Sequence, residues 1–397
     1  MAINTDHKKI NEALTRGVEQ VLPDKDRLRK LMKKKRIRLY FGMDPTSPKL
    51  HLGHSLGLKK LQEFADLGHE SILVIGAGTV LAGDPSLRDT PRPLISQQEI
   101  ENNIKTWKKQ AAKVLDFSKI KIQYNSDWLL KLTFKDVIQI ASRISAVKIF
   151  QRDMFQRRIK KGDTVWLHEA LYPLFQGYDS VALNVDLEIG GTDQIFNMLI
   201  GRELQQKIQK REKFILTWPL IFGVDGQPMS KTSGNCIWLE DAADEMFGKT
   251  MSIPDELIED YFLSTQLSSK EIEKIKTDLK QKKANPRNLK NKLAREIVTF
   301  YHGLKEAEKA EQNFRKIFKE KKVPEEIFKM KIKESSLNII NLLVKTKLAS
   351  SGSEAKRLIM QGGVKIDKKT EKDWKKIIEI KKDLIIQVGK RKFIKLN

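Results

Sequence analysis

The stretch LYFGMDPTSPKLHLGHSLG, residues 39–57, decides how this chain folds. An apolar run with β propensity, Ile37 to Phe41, gives way to Gly-Met-Asp-Pro-Thr-Ser-Pro, which cannot continue a strand and must turn. Beyond the turn, Leu56, Leu58, Leu61 and Phe64 recur at helical spacing, so the segment reads as strand, loop and helix N-terminus. Backbone N–H groups and the positive end of the helix dipole then face whatever anion sits at the turn, an arrangement suited to a nucleotide. His51 and His54 are three apart on the first turn, share a face and should point at one place. Gly53 between them carries no side chain, so a flat group such as a purine can approach the backbone. Two imidazole donors, neutral or protonated, could stabilise charge building on a phosphate in a transition state. Neither a Walker pattern nor a strict GxGxxG is present.

A chain of 397 residues implies two or three domains, and 40% apolar content supplies a core. No apolar run approaches membrane-spanning length and the N-terminus has no signal-like apolar region, so a cytoplasmic location is expected. Cys236 is the single cysteine, which excludes an internal disulfide and a cysteine-cluster zinc site. The formal charge of +24 is unevenly placed: residues 268–397 hold 36 Lys and Arg against 17 Asp and Glu, leaving only +5 for the rest. That final third faces a polyanion, with nucleic acid the first candidate and an anionic membrane the second.

Residues 4–34 read as an amphipathic helix pair interrupted near Pro23. Strands follow at Ser71–Ile75, Lys119–Tyr124, Asn184–Ile189 and Phe214–Phe222. Helices lie between them at Gln97–Leu115, across most of Phe134–Lys161, at Leu167–Tyr178 and from Thr192 to about Lys210. Strands alternating with helices imply an α/β fold, a Rossmann-like and mainly parallel sheet with ligands at the carboxyl ends of its strands. This unit spans residues 1–239 and ends in the loop 226–235, which contains Gln-Pro-Met-Ser-Lys-Thr. A basic, helical segment covers 240–325, a linker 326–336, and a compact unit of two short helices and three strands 337–397.

With HLGH at 51–54 and the Pro-Met-Ser-Lys-Thr loop in one chain, the sequence resembles the class I aminoacyl-tRNA synthetases. The further motifs LAGDPS, YPLFQGYD, IGGTDQ, SEAKRLIMQGGV and VGKRKF, in order over nearly the whole chain, are similar to the bacterial-type tyrosyl-tRNA synthetase family. The resemblance implies a tyrosine-tRNA ligase with ATP as substrate and Mg²⁺ accompanying ATP and pyrophosphate. Tyr40 and Asp179 would read the substrate phenol, and Asp84, Tyr172 and Gln176 would hold its ammonium group. Residues 172, 176 and 179 do lie on one helix face. Gly42, Asp44, Gly53, Gly191, Asp193, Leu220, Ile221 and Lys231 would bind ATP, with Asp193 on the ribose and the two apolar residues beside adenine. His51, His54 and Thr46 would meet the developing phosphate charge, Gln194 the reacting carbonyl, and Arg88, Arg92, Lys231 and Thr232 the departing pyrophosphate. The sister family for tryptophan shares these signatures, but Tyr40 with Asp179 and the C-terminal unit argue against it.

The chain departs from the family pattern at Pro228, which stands where the loop's first lysine is usual. Proline stiffens the loop and removes a donor, so Arg88 and Arg92 should carry more of the pyrophosphate. Phe41 stands where many members of the family have a smaller residue, and the sequence assigns it no role at the ribose pocket. The unit from 337 onward resembles a small RNA-binding domain shared with a ribosomal protein, in which Lys356, Arg357, Lys390, Arg391 and Lys392 would contact phosphates of tRNA(Tyr). A homodimer is implied by the resemblance alone.

Overall fold

A computed structural model describes residues 3–86, 95–229, 233–319, 328–332, 334–349, 351–389 and 392–396. Residues 1–241 with 249–301 form one compact unit, and 242–248 with 302–397 form a second.

The first unit opens with α1 (His7–Thr15), β1 (Gln20–Leu22) and α2 (Lys25–Lys34). Asp6 and Asp24 cap the two helices by accepting from the backbone N–H groups of Lys9 and Arg27. The deciding stretch then forms β2 (Arg38–Met43), a turn and α3 (Leu52–Asp66), followed by β3 (Glu70–Ile75), α4 (Gln97–Ala111), β4 (Ile120–Tyr124) and α5 (Ser126–Leu129). The region expected to be mostly helical breaks into α6 (Phe134–Ala141), α7 (Ala146–Phe150) and α8 (Asp153–Lys160). Next come α9 (Leu167–Leu183), β5 (Leu187–Gly191), α10 (Ile195–Gln209) and β6 (Phe214–Trp218).

The six strands lie in the order β1-β6-β5-β2-β3-β4. All neighbours are parallel except β1, which runs antiparallel to β6 with Val21 opposite Leu216. Sequence reading missed β1 because three residues are too few to show alternation, and Pro23 ends them at once. From β2 the chain steps outward to β3 and β4, then returns to lay β5 and β6 on the other side. The strand order thus reverses between β2 and β5, where a crevice opens at the carboxyl ends.

Helix α9 runs five residues past the expected Tyr178 and closes with Asn184 in the left-handed conformation. It packs against α10 where Gly177 meets Gly201: a Cβ on Gly177 would sit 3.0 Å from the Gly201 backbone, so only glycine permits this approach.

From residue 243 to 319 the described chain is helical, with α11 (Ala243–Met251), α12 (Ile258–Phe262), α13 (Ser269–Lys280), α14 (Pro286–His302) and α15 (Leu304–Lys319). In the second unit β7 (Phe328–Met330) falls within the stretch expected as linker. Further on are β8 (Ser336–Asn338), α16 (Ile339–Lys345), α17 (Gly352–Met360), β9 (Val364–Ile366), β10 (Lys369–Glu371), β11 (Ile377–Glu379), β12 (Ile385–Val388) and β13 (Lys392–Leu396). β7 lies parallel to β13 at the edge of the sheet β10-β9-β12-β13-β7, so the expected linker is partly structured, and the buried Ile332 joins this unit's core. Ile339, Leu342, Leu343, Ala355 and Ile359 of the two helices fill that core against Val364, Ile386 and Leu396.

Arg158 of α8 is fully buried and grips both oxygens of Glu169 at 2.7 and 2.9 Å. Removing one partner of such a pair leaves the other charge buried and uncompensated. Arg158→Met should lower the unfolding free energy by about 3–5 kcal/mol, read from urea denaturation. A change under about 1 kcal/mol would show that solvent reaches Glu169.

Candidate active site

A cavity of about 620 Å³ opens at the strand-order reversal. Tyr40, Gly42, Asp44 and Thr46 come to it from β2 and the turn after it, and His51, Gly53 and His54 from the start of α3. Asp84 follows β3, Tyr172, Gln176 and Asp179 descend from α9, and Gly191, Asp193, Gln194, Leu220 and Ile221 follow β5 and β6. The structure brings all of these expected residues to one cavity. Arg88, Arg92, Lys231, Thr232, Lys390 and Arg391 lie outside the described residues, as does the side chain of Lys392.

His51 is the N-cap of α3, and the imidazole of His54 turns back so that its Nδ1 accepts the His51 backbone N–H at 3.1 Å. The proton of His54 therefore sits on Nε2. The two rings stack at 3.7 Å with planes tilted by 35°. Burial pulls His54 down to about 4 and His51 well below its ordinary range, with His54 adding to the effect on His51. Both are neutral at physiological pH. The space left by Gly53 is faced by the His51 ring, whose Nδ1 would lie 3.0 Å from a Cβ there, so the missing side chain makes room for that imidazole.

A chain of hydrogen bonds crosses the cavity floor. Trp128 Nε1 and Asn125 Nδ2 donate to the two oxygens of Asp179 at 2.8 and 3.1 Å. Burial pushes the Asp179 carboxyl well up, and these two donors pull it back. Asn125 also donates to Thr79 Oγ1 at 3.0 Å, Thr79 donates to Asp44 Oδ1 at 2.7 Å, and Tyr172 donates to Asp44 Oδ2 at 3.0 Å. Gln194 Nε2 donates to Asp84 and Asp193, both at 2.9 Å, which draws the ends of β3 and β5 together.

Beneath this floor lies an ion pair. Glu188 of β5 and Lys213, just before β6, have side chains 2% and 0% exposed and are in direct contact. Glu188 also accepts from Gln176 Nε2 at 3.1 Å, while Gln176 Oε1 is buried with no partner. Sequence reading missed Asn125, Thr79, Ser180, Glu188 and Lys213. Asn125 immediately follows β4, so the strand-end rule would have flagged it. The signal for Glu188 was a lone carboxylate inside an otherwise apolar strand.

Phe41 has a clear place. Its ring packs edge-on against Trp218 at 5.3 Å and fills the notch left by Gly57, where any side chain would collide with it. Pro228 pairs with Phe222 in an isolated bridge, and Asn235 Nδ2 donates to its carbonyl at 3.0 Å and to Asp225 at 2.8 Å.

Comparison with known proteins bears on what this cavity does. Residues 32–319 match the family model for class I tRNA synthetases of tryptophan and tyrosine, and 339–384 match the S4 domain. Over 386 residues the chain is 43% identical to a tyrosine-tRNA ligase of Thermotoga maritima, covering 97% of this chain and 96% of that one. It belongs to the tyrosine-tRNA ligase family. A second family member, from Moorella thermoacetica, is 42% identical over 390 residues, covering 97% of this chain and 94% of the relative. Among solved structures, a C-terminally truncated mitochondrial tyrosyl-tRNA synthetase of Aspergillus nidulans superposes with a TM-score of 0.65 at 25% identity, covering 78% of this chain and 94% of that one. Tyrosine rather than tryptophan is thus the branch of the family to which the chain belongs.

The neutral histidines carry a pH signature. In the unfolded chain they titrate near their ordinary 6.5. As pH falls the unfolded chain binds protons first, so stability is full above about pH 6.5 and is lost between there and about 4. The urea midpoint should fall over this interval, and His54→Asn, which cannot titrate, should flatten the fall. Parallel pH profiles for parent and variant would contradict the assignment.

Proposed function

We propose that the cavity activates L-tyrosine with ATP and that the product is passed to tRNA(Tyr) in cytoplasmic translation. The observation that carries this reading is that Tyr40 and Asp179 are both buried and both line a cavity whose other residues suit a nucleotide. A buried donor and acceptor reward a phenol hydroxyl and offer phenylalanine nothing in its place, the kind of discrimination for which tyrosyl-tRNA synthetases are the standard example.

Asp84, Tyr172 and Gln176 take the ammonium group, and the partnerless Gln176 Oε1 supports this role. Asp193 binds ribose at Gly191, Asp44 and Gly42 line the nucleotide side, and Leu220 and Ile221 wall the adenine. The tyrosine carboxylate attacks the α-phosphate in line and pyrophosphate leaves. The terminal adenosine hydroxyl of tRNA then attacks the tyrosyl carbonyl near Gln194, the bond to the phosphate breaks, and AMP leaves as the hydroxyl gives up its proton. No protein nucleophile is needed, so positioning and electrostatic stabilisation do the work. His51, His54 and Thr46 donate hydrogen bonds to the charge that builds, the histidines as neutral groups. Arg88, Arg92, Lys231 and Thr232 hold pyrophosphate. Mg²⁺ accompanying ATP and pyrophosphate would supply charge neutralisation.

The helical segment 240–325 is the anticodon-side domain in this reading. Lys356 and Arg357, exposed on α17, join Lys390, Arg391 and Lys392 on the tRNA backbone. Two copies act as a homodimer, as the family resemblance suggests. Among the described residues no helix is long and apolar enough to cross a membrane.

The reading is tested by amino-acid-dependent ATP-pyrophosphate exchange. Tyrosine should support it with a kcat/KM about 10⁵-fold above that for phenylalanine and tryptophan should not support it, whereas exchange with tryptophan would move the chain to the sister activity. Deleting 337–397 should reduce tRNA charging at least tenfold while sparing exchange, because phosphate contacts there supply tRNA affinity and not chemistry. Equal loss of both activities would refute that division.

A further inference from the structure

Lys213 carries a charge into the interior without reaching the cavity itself. Its ammonium group contacts Glu188 and donates to Ser180 Oγ at 2.8 Å, and Ser180 Oγ lies 3.1 Å from the Tyr40 hydroxyl. Room for Lys213 exists because residue 201 is glycine; a Cβ there would lie 2.5 Å from Nζ. An ammonium group has donors only, so Ser180 Oγ must accept from it. The single proton of Ser180 is then free to go elsewhere. Glu188 Oε2 is one taker at 3.3 Å, but Glu188 is already served by Lys213 and Gln176, and Tyr40 is the closer partner. Once Ser180 donates to Tyr40, the Tyr40 proton must point away from Ser180. Its protein acceptors are the Gln176 carbonyl, at a long 3.4 Å, and the Glu188 carboxylate, whose oxygens are already engaged by Lys213 and Gln176, so a ligand hydroxyl competes for that proton.

We infer that Lys213, acting through Ser180, fixes the direction of proton sharing at Tyr40 and makes Tyr40 a hydrogen-bond donor to a phenolic hydroxyl in the cavity. The ordered series runs from the Lys213 ammonium through Ser180, Tyr40 and the ligand hydroxyl to Asp179. Asp179 is held as the terminal acceptor because Asn125 and Trp128 already donate to it. Each bond in such a series polarises the next. Glu188 has two parts: it compensates Lys213, and its other oxygen orients Gln176. Lys213, Ser180 and Glu188 are positioning residues, and the inference rests on Tyr40 and Asp179 being the phenol subsite.

The test compares kcat/KM for tyrosine and for phenylalanine in pyrophosphate exchange for the parent, Ser180→Ala, Tyr40→Phe and the double variant. Ser180→Ala leaves the ion pair intact and should lose about three- to tenfold with tyrosine. Activity with phenylalanine should stay within about twofold, because phenylalanine has no hydroxyl for Tyr40 to meet. In the Tyr40→Phe background, Ser180→Ala should cost nothing further, since its effect passes through the hydroxyl already removed. The pair Glu188→Gln with Lys213→Gln, which removes the obligate donor without stranding a charge, should lower selectivity as Ser180→Ala does. Equal losses for both amino acids, or additive losses in the double variant, would overturn the inference and leave Ser180 a packing residue. If Tyr40→Phe itself leaves selectivity unchanged, the phenol subsite falls and this inference with it.

Discussion

A carboxylate in the middle of a parallel sheet is tolerated only with its charge matched and its oxygens filled, and Glu188 imposes that condition here. β5 is covered on both faces, so a counter-charge has to come from the adjoining strand, and Lys213 at the entry to β6 supplies it. That lysine reaches inward only because α10 carries glycine at 201, the residue that also lets α9 approach α10 backbone to backbone. The close helix contact in turn sets Ser180 and Gln176 over the ion pair. One buried pair thus ties the sheet, both helices and the cavity floor into a single arrangement.

The reversal of strand order explains why the remaining polar groups gather where they do. Most of the sheet interior is apolar, so chemistry is confined to the loops at the carboxyl ends, and five of these loops turn toward the gap between β2 and β5. Within that gap the histidines are held neutral by burial, and the His51 backbone N–H fixes which nitrogen of His54 bears the proton. A neutral donor needs no counter-charge in the resting state. It offers its hydrogen bond only to charge that develops.

Much of this was legible in the sequence, because the elements that hold the site repeat strong local signals. The 39–57 stretch showed β2, the turn and α3, and the helical spacing of 172, 176 and 179 put those residues on one face of α9. What escaped carried a short, weak or purely tertiary signature. β1 is three residues long, and its pairing with β6 is a tertiary fact. Gly53 looked like an opening for a purine, yet the His51 ring lies against it. Phe41 could not be placed without Gly57 and Trp218, which are close only in space. Glu188 and Lys213 sit 25 residues apart, and their partnership depends on β5 and β6 being neighbours.

The charge balance of the cavity constrains where a triphosphate can be neutralised. Among its described lining residues are the carboxylates of Asp44, Asp84, Asp179, Glu188 and Asp193, and no lysine or arginine. Lys213 balances Glu188, Arg152 acts on Asp84 and Asp193, and the histidines are uncharged, so the described lining keeps an excess of acidic groups. That suits an ammonium group and opposes a polyphosphate. In the proposed reaction the cations for the phosphates come from outside this wall, with Arg88, Arg92 and Lys231 as the sequence's candidates. With Pro228 where another lysine is usual, the loop contributes fewer charges. The proposed reaction therefore assigns more of the neutralisation to Arg88, Arg92 and a cation accompanying the phosphates than to the loop.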